Sequence, residues 1–338
     1  MFRAKNHLLV LSIVLIFAII SNAQDKKDTF PILKGPYLGQ QPPGKIPEIF
    51  APGIISTGLS ELNAVFSPDG SEFYFCVRCI SGTVSIFQVK MENNIWTEPK
   101  LLPFASRFGE IDVTLSPDGN IILFSSRRPL PGSDKPKEDN DFWMAKRFKD
   151  TWGNPIYLGE DINSDSHDYY PMMTNDGTIY FSSQREGTGT NNIYRSKLIN
   201  GKYSKAEKLG DAINTKHREF DPYVSPDETI LIFTSNRPEG FGSGDLYVSF
   251  KNKNGIWAEA KNMGDKINTP GSEYCAMITP DGKYLFFTGA RRKGIIIPEK
   301  PLTYKDFRKI HNTHKNGFSN IYWVDEKIIE KLKTKEIK

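Results

Sequence analysis

The sequence predicts an all-β fold, a five-bladed β-propeller of four-stranded antiparallel blades that is closed by an N-terminal outer strand. Three observations predict it: a turn motif that recurs five times, short strand-like segments between its copies, and one unpaired strand-like segment ahead of the first copy. Turn motifs that repeat about every fifty residues, with several short strands between them, are typical of propellers.

The recurring turn has the form Ser-Pro-Asp-Gly or a close variant of it. Proline fixes φ at about −65° and glycine adopts positive φ, so this sequence makes a tight turn. In each repeat we expect it to join an inner strand to a second strand rich in β-branched and aromatic residues. The five copies are Ser67–Gly70, Ser116–Gly119, Thr174–Gly177, Ser225–Glu228 and Thr279–Gly282.

The other strands of each repeat show how the ring closes. A third strand begins with Asp or Asn, or with Ser in the first repeat, ahead of an apolar and an aromatic residue. Outer strands follow the first four repeats, whereas the fifth repeat runs into a helical segment. Residues 47–57 resemble an outer strand, so we expect them to complete the fifth blade and remove the open edges.

The propeller is therefore expected over residues 46–325, followed by a helical tail over residues 326–338. Residues 24–45 contain Pro42, Pro43 and Gly44, a composition that indicates a flexible leader.

The first 23 residues have the pattern of a secretory signal peptide. Arg3 and Lys5 precede an apolar run over residues 8–20, and small residues lead to Ala23. We expect cleavage after Ala23 and a periplasmic or secreted protein. Because the apolar run is shorter than a membrane span, we expect a chain that does not cross the membrane.

The formal charge of +4 gives no electrostatic reason to expect a nucleic-acid partner. The sequence has no P-loop, dinucleotide fingerprint, nucleophile elbow or HExxH motif, so we predict no cofactor and no catalytic residue. We expect a monomer. Cys76 and Cys79 have CxxC spacing, but Cys76 falls inside a strand and no second cysteine pair is present, which favours small apolar residues over a redox or zinc site.

An acid and an arginine recur at fixed distances from the turn. An acid stands eight residues before the turn aspartate in all five repeats, and an arginine stands four residues after the last aromatic residue of the second strand in four of them. The acids are Glu61, Glu110, Asp168, Glu219 and Glu273, and the arginines are Arg128, Arg185, Arg237 and Arg291. In blade 1, Cys79 occupies the arginine position and Arg78 lies one residue early.

In an antiparallel meander the inner strand begins where the second strand ends, so we expect these acids and arginines to meet near one mouth of the central channel. A repeated carboxylate–guanidinium pair favours a structural latch, because every blade needs a latch whereas a catalytic site needs each residue once. The alternative interpretation is a polar ring that contacts a ligand or partner at the channel.

Features that do not repeat are better candidates for specificity. Asp112 and Asp221 have no acidic counterpart in the other repeats and are expected to line the channel. A long insertion over residues 292–319 carries Tyr304, His311 and His314 and is a candidate binding loop. The two histidines could share a metal on a helix, but no nearby acid completes a site, so we predict no metal.

The SPDG turns, the loop sequence SNRPEGFGSGDLY over residues 235–247 and the secretory leader resemble the TolB-like β-propeller repeat family. Members of that family are WD-repeat-like propellers of the bacterial cell envelope, so the resemblance implies the same fold and an envelope location. The resemblance extends over residues 46–325.

Three functions remain open at this point. The first is an exported module that binds an envelope protein or a glycan. The second is a hydrolase or lyase that acts on glycans through Asp112, Asp221 and one acid of the ring, by analogy with five-bladed glycosidases. The third is a purely architectural role in an envelope assembly.

Overall fold

The computed structural model describes residues 30–79, 81–291, 300–314 and 316–333. The expected signal peptide lies outside these residues. The chain divides into a short unit, Met1–Leu33, and a unit over Lys34–Lys338 that contains all the blades. Five antiparallel sheets follow one another along the second unit, and the inner strands of consecutive blades contact each other, including those of blades 5 and 1. The predicted five-bladed propeller is confirmed.

Each blade begins with an inner strand that pairs with the second strand through the recurring turn. The inner strands of blades 1 to 5 are Ser60–Phe66, Glu110–Leu115, Asp168–Met173, Glu219–Val224 and Glu273–Ile278. The second strands are Glu72–Arg78, Ile121–Ser126, Ile179–Ser183, Ile230–Ser235 and Tyr284–Gly289.

The third strand pairs with the second, and a two-residue outer strand pairs with the third. The third strands are Val84–Glu92, Asp141–Phe148, Asn192–Ser196, Asp245–Phe250 and Asn320–Asp325. The outer strands are Lys100–Leu101, Ile156–Tyr157, Glu207–Lys208, Lys261–Asn262 and, for blade 5, Glu48–Ile49. Short strands at the rim are Ile95–Trp96, Thr151–Trp152, Leu198–Ile199 and Lys202–Tyr203.

The turn between inner and second strands is held by its own aspartate. In blade 2 the Ser116 hydroxyl donates to Asp118 Oδ1 at 2.6 Å, and the backbone N–H of Asn120 donates to the same oxygen at 3.0 Å. These donors hold the pKa of the Asp118 carboxyl below its usual value. Gly119 has φ of +73°, as the turn requires. The repeated aspartates therefore stabilise turns on the face opposite the acid–arginine positions.

The N-terminal strand closes the ring as the sequence predicts. Glu48 and Ile49 pair with Trp323 and Tyr322 on the third strand of blade 5. The next residue, Phe50, is fully buried, with its ring centroid 5.0 Å from that of Phe286 and 5.4 Å from that of Phe73. Phe286 belongs to blade 5 and Phe73 to blade 1, so one side chain joins the two ends of the sheet array.

Part of the segment expected to be flexible packs against the propeller. A 3₁₀ helix, Tyr37–Gly39, places the Tyr37 ring 5.2 Å from Phe66 and 5.0 Å from Tyr284, and Leu38 is fully buried. The Trp96 indole N–H donates to the Gly35 carbonyl at 2.7 Å. The difference from the expectation has a simple physical cause, since buried aromatic contacts offset the entropy of ordering a proline-rich segment.

Two α-helices lie among the described residues, Tyr304–His311 in the blade 5 insertion and Lys327–Glu330 at the C-terminal end. The second belongs to the expected helical tail and buries Ile329. Within the described part of the chain, neither helix has the length and apolar character needed to cross a bilayer.

The aromatic closure gives a direct test of the fold. Replacing Phe50 with alanine in the whole chain should lower the free energy of unfolding by about 3–5 kcal/mol, because it leaves a cavity between blades 5 and 1. Urea denaturation followed by tryptophan fluorescence measures this. Ile46→Ala is the matched control in the same segment, since Ile46 is 74% exposed and should cost little. Equal effects of the two substitutions would contradict this closure.

Candidate functional site at the channel mouth

The repeated acids and arginines form ion pairs within each of blades 2 to 5. Each arginine at the end of the second strand reaches the acid that begins the inner strand of its own blade. The pairs and their N–O distances are Arg128–Glu110 at 2.6 Å, Arg185–Asp168 at 2.9 Å, Arg237–Glu219 at 3.4 Å and Arg291–Glu273 at 3.2 Å. We call each of these pairs, with the groups that hold it, a latch.

Blade 4 shows how a latch is built. The Arg237 guanidinium lies over the rings of Phe233 and Tyr247, with 5.6 and 4.6 Å to the ring centroids, and its Nη2 donates to the Ile213 carbonyl at 2.8 Å. The Thr215 hydroxyl and backbone N–H donate to the carboxylate of Glu219 at 2.7 and 3.0 Å. The charges of the Arg237 guanidinium and the Glu219 carboxylate thus neutralise each other, and both groups have hydrogen-bond partners.

The latches are buried, which favours the structural interpretation of the ring. The side chains of the four acids are at most 1% exposed, and those of the four arginines are 8–16% exposed. Burial raises the pKa of Asp168 and Glu273, although the partner arginine opposes this. Because the paired groups bond to one another, the geometry of these eight residues fits a structural role better than a ligand-binding one.

Blade 1 lacks a latch arginine. Glu61 is 1% exposed and receives hydrogen bonds from the Thr57 hydroxyl at 2.6 Å and the Thr57 N–H at 3.1 Å. Burial raises the pKa of the Glu61 carboxyl to about 7. Cys79 stands at the arginine position and is exposed, whereas Cys76 and Cys275 are buried, and none of the three forms a disulfide. Cys76 lies inside the second strand, as predicted.

A backbone bulge lies two residues after the acid in each inner strand. The five residues there all have positive φ, between 50° and 61°, and the pairing with the second strand shifts register across them. They are Asn63, Asp112, Tyr170, Asp221 and Cys275. Non-glycine residues rarely adopt this conformation, so five copies indicate a strained backbone that the surrounding sheet imposes.

The bulges bring the buried Asp112 and the half-buried Asp221 into one network in the channel. The Tyr170 backbone N–H donates to Asp112 Oδ2 at 3.1 Å, and the Cys275 thiol lies 3.4 Å from Asp221 Oδ2. Burial raises the pKa of both carboxyls, and the charge on Asp221 raises that of Asp112 further. The positive charge of Arg78 opposes this rise in pKa at both carboxyls.

Exposed arginines surround the channel mouth, the end of the channel where the inner strands begin. Arg78 and Arg127 line a cleft of about 520 Å³ together with Tyr169 and Asn140. On the other side Arg218 lies 5.5 Å over the Phe220 ring, and its charge acts on Asp221. None of these three arginines forms an ion pair with another described residue. The mouth is therefore positively charged and has aromatic faces, above two carboxyls with raised pKa.

The sequence contains a signal for this mouth beside the latch positions. In three places an exposed arginine is the immediate neighbour of a latch position. Arg78 precedes Cys79, Arg127 precedes Arg128, and Arg218 precedes Glu219. Tyr169 and Phe220 follow acids of the ring in the same way. Of the predicted residues, Glu110 lines the cleft, and Asp112 and Asp221 form the carboxyl pair in the channel.

The insertion residues do not join the mouth site. Tyr304 is 79% exposed at the start of its helix, which Thr303 and Asp306 cap. His311 ends the helix and His314 lies beyond it, so the helical spacing required for a shared metal is absent. No group of three His, Cys, Asp or Glu side chains is placed to hold a metal among the residues that the structure covers.

No protein-family model and no curated protein matches this sequence. Solved structures with a similar fold include a protein described as TolB from Agrobacterium tumefaciens, with TM-score 0.47, 14% identity, and coverage of 79% of this chain and 90% of that chain. TolB from Acinetobacter baumannii has TM-score 0.45 and 14% identity, covering 79% of this chain and 57% of that one. An endo-arabinase from Bacteroides thetaiotaomicron has TM-score 0.49 and 11% identity, covering 78% and 100%. Likeness at this level concerns the fold and carries no information about a ligand.

Breaking one latch should destabilise the protein strongly. We expect Arg237→Met to lower the free energy of unfolding by about 3–5 kcal/mol, because it leaves the Glu219 carboxylate buried without its cation. Chemical denaturation at neutral pH measures the change. The control is Lys208→Met, which breaks a surface ion pair with Glu186 in blade 3 and should cost about 0–1 kcal/mol. A loss no larger than that of the control would contradict the latch.

The buried carboxyls of the channel should make stability depend on pH. Their pKa is raised in the folded state, so the folded protein retains protons that the unfolded chain releases above about pH 4. Stability should therefore fall as pH rises from about 4 through the raised pKa values. Asp112→Asn should flatten this dependence, whereas Asp134→Asn, at an exposed site on the blade 2 insertion, should leave it unchanged. Thermal unfolding across pH 4–9 would show whether the two variants differ in this way.

Proposed function

We propose that this chain is a non-catalytic binding module of the bacterial cell envelope, and that it holds an acidic glycan at the channel mouth. The observation that carries the proposal is the set of three exposed arginines, Arg78, Arg127 and Arg218, which have no ion-pair partner among the described residues. Exposed guanidinium groups without a partner are suited to bidentate recognition of carboxylates.

The shape and chemistry of the mouth favour a glycan. The cleft beside Arg78 and Arg127 has a volume of about 520 Å³, and it includes the half-buried ring of Tyr169. A cleft of this size suits a small ligand, and an aromatic ring beside polar groups offers an apolar face to a sugar while the arginines bind its carboxylate. The envelope location rests on the secretory leader pattern and on the resemblance to TolB-like repeats.

The test compares an acidic and a neutral oligosaccharide of equal length. Calorimetric titration with a galacturonate trisaccharide should give measurable binding that weakens as salt is added, and a neutral galactose trisaccharide should bind more weakly. The variant Arg78→Gln, Arg127→Gln, Arg218→Gln should lose at least about tenfold in affinity, about 1.4 kcal/mol. A charge-matched control, Lys202→Gln, Lys253→Gln, Lys261→Gln, removes three exposed lysines elsewhere. This variant should retain the affinity of the parent for the acidic trisaccharide.

Two outcomes would contradict this proposal. If neither saccharide binds while an acidic peptide does, the mouth serves a protein partner instead of a glycan. If the arginine variant and the lysine variant lose affinity equally, binding reflects overall charge and the mouth is not the site.

A second candidate, a glycan hydrolase or lyase, is favoured by one observation, the raised pKa of Asp112 and Asp221 in the channel. Carboxyls of this kind can act as general acids. One observation argues against catalysis: each carboxyl already accepts a hydrogen bond from a buried donor. Asp112 accepts from the Tyr170 N–H, and Asp221 accepts from the Cys275 thiol. Cleavage of the galacturonate trisaccharide that Asp112→Asn and Asp221→Asn abolish, with binding retained, would establish this candidate in place of the first.

A further inference from the structure

The latches of blades 2 to 5 share one receptor for the guanidinium group. It consists of an acid held by a Ser or Thr four residues earlier, two aromatic rings on the second and third strands, and a main-chain carbonyl two residues before that Ser or Thr. The ring pairs are Phe124 with Trp143, Phe181 with Tyr194, Phe233 with Tyr247 and Phe287 with Tyr322. The carbonyls belong to Phe104, Ile162, Ile213 and Ile267.

Blade 1 contains this receptor without an arginine. Glu61 is held by Thr57 in the same way that Thr215 holds Glu219. Phe75 and Phe87 occupy the ring positions, with centroids 5.8 Å apart and planes at 29°, close to the 6.1 Å and 19° of Phe233 and Tyr247. Ile55 stands two residues before Thr57, at the position whose carbonyl accepts a hydrogen bond from the arginine in the other blades.

One backbone hydrogen bond after the position of the missing arginine has a counterpart in blade 4. The Gly82 N–H donates to the Cys79 carbonyl at 2.9 Å, as the Gly240 N–H donates to the Arg237 carbonyl at 3.0 Å. Cys79 is exposed, so its short side chain does not replace the guanidinium in the interior. Blade 1 thus has the acid, its threonine and two aromatic rings of a latch but lacks the arginine side chain.

The groups left behind are unsatisfied. Glu61 Oε2 is buried and has no hydrogen-bond partner among the residues that the structure covers. Within the same residues, no cation lies over Phe75 or Phe87 and none pairs with Glu61, whereas every other ring acid has its arginine. The neighbouring Arg78 is exposed and acts on Asp112 and Asp221 in the channel instead. A buried carboxylate oxygen without a partner is costly, so a ligand that satisfies it is favoured.

We propose that blade 1 binds a guanidinium group from outside the chain, the side chain of an arginine that takes the position of the absent latch arginine. A planar guanidinium can lie against both rings and donate to the carboxylate and a carbonyl together, which the compact ammonium of lysine cannot do. The arginine can belong to a partner protein or be the free amino acid, since both carry the same group. This site is separate from the channel mouth and does not rest on the acidic glycan proposed there.

The experiment measures binding of arginine and lysine derivatives to the whole protein. We expect Nα-acetylarginine amide to bind at least about tenfold more tightly than Nα-acetyllysine amide at equal ionic strength. Cys79→Arg, which supplies the missing side chain, should abolish this binding, and Glu61→Gln should weaken it at least about tenfold. Cys79→Ser is the matched control and should bind as the parent does. Isothermal titration calorimetry and chemical shifts of the Phe75 and Phe87 rings report the same site.

A second measurement needs no added ligand. Cys79→Arg should raise the melting temperature relative to Cys79→Lys, because only the arginine completes a latch, and Glu61→Gln should remove the difference. Equal melting temperatures of these two variants, or equal binding of the arginine and lysine derivatives, would overturn the proposal.

The source of the arginine follows from a comparison of two further probes. If the peptide acetyl-Gly-Arg-Gly-amide binds and free arginine does not, the ligand is an arginine within a partner protein. If free arginine binds as tightly as the peptide, the ligand is the amino acid itself. Either result supports a guanidinium site, and failure of both probes contradicts it.

Discussion

The buried carboxylate–guanidinium pair is the interaction on which the rest of the structure depends. Five sheets pack around one central channel, and their inner strands contact one another, so these strands must begin at equivalent positions. In blades 2 to 5 the pair ties the first residue of the inner strand to the chain that leaves the second strand. Because both charges are removed from water, the geometry of the pair is narrowly defined.

The latch also determines which residues remain available for binding. Glu219 and Arg128 are paired in the interior, whereas the adjacent Arg218 and Arg127 are exposed at the channel mouth. The bulge two residues after the acid then places Asp112 and Asp221 in the channel. One repeated structural pair thus separates residues that hold the blades from residues that can meet a ligand, and blade 1 departs from this pattern at Cys79.

The fold could be predicted from the sequence because its turns and strands repeat, and a repeat is visible without any knowledge of the structure. The closure by residues 48–49 and the pairing of Arg185 with Asp168 follow from the same periodicity. The mouth was not found in this way, because Arg127 has an arginine counterpart only in Arg78 of blade 1, and the pattern alone does not separate Tyr169 and its counterpart Phe220 from core aromatic residues. The packing of Leu38 was missed for a similar reason, since proline and glycine nearby indicate flexibility unless a partner surface is known.

The central claim is that the channel mouth is the binding face and that the latches and the SPDG turns are structural. Hydrogen–deuterium exchange in the presence of the galacturonate trisaccharide tests it over the whole chain at once. The account predicts slower exchange in the segments that carry Arg78, Arg127, Tyr169 and Arg218, with no change at the turns of the opposite face. Protection confined to those turns, or to the insertion helix Tyr304–His311, would contradict it.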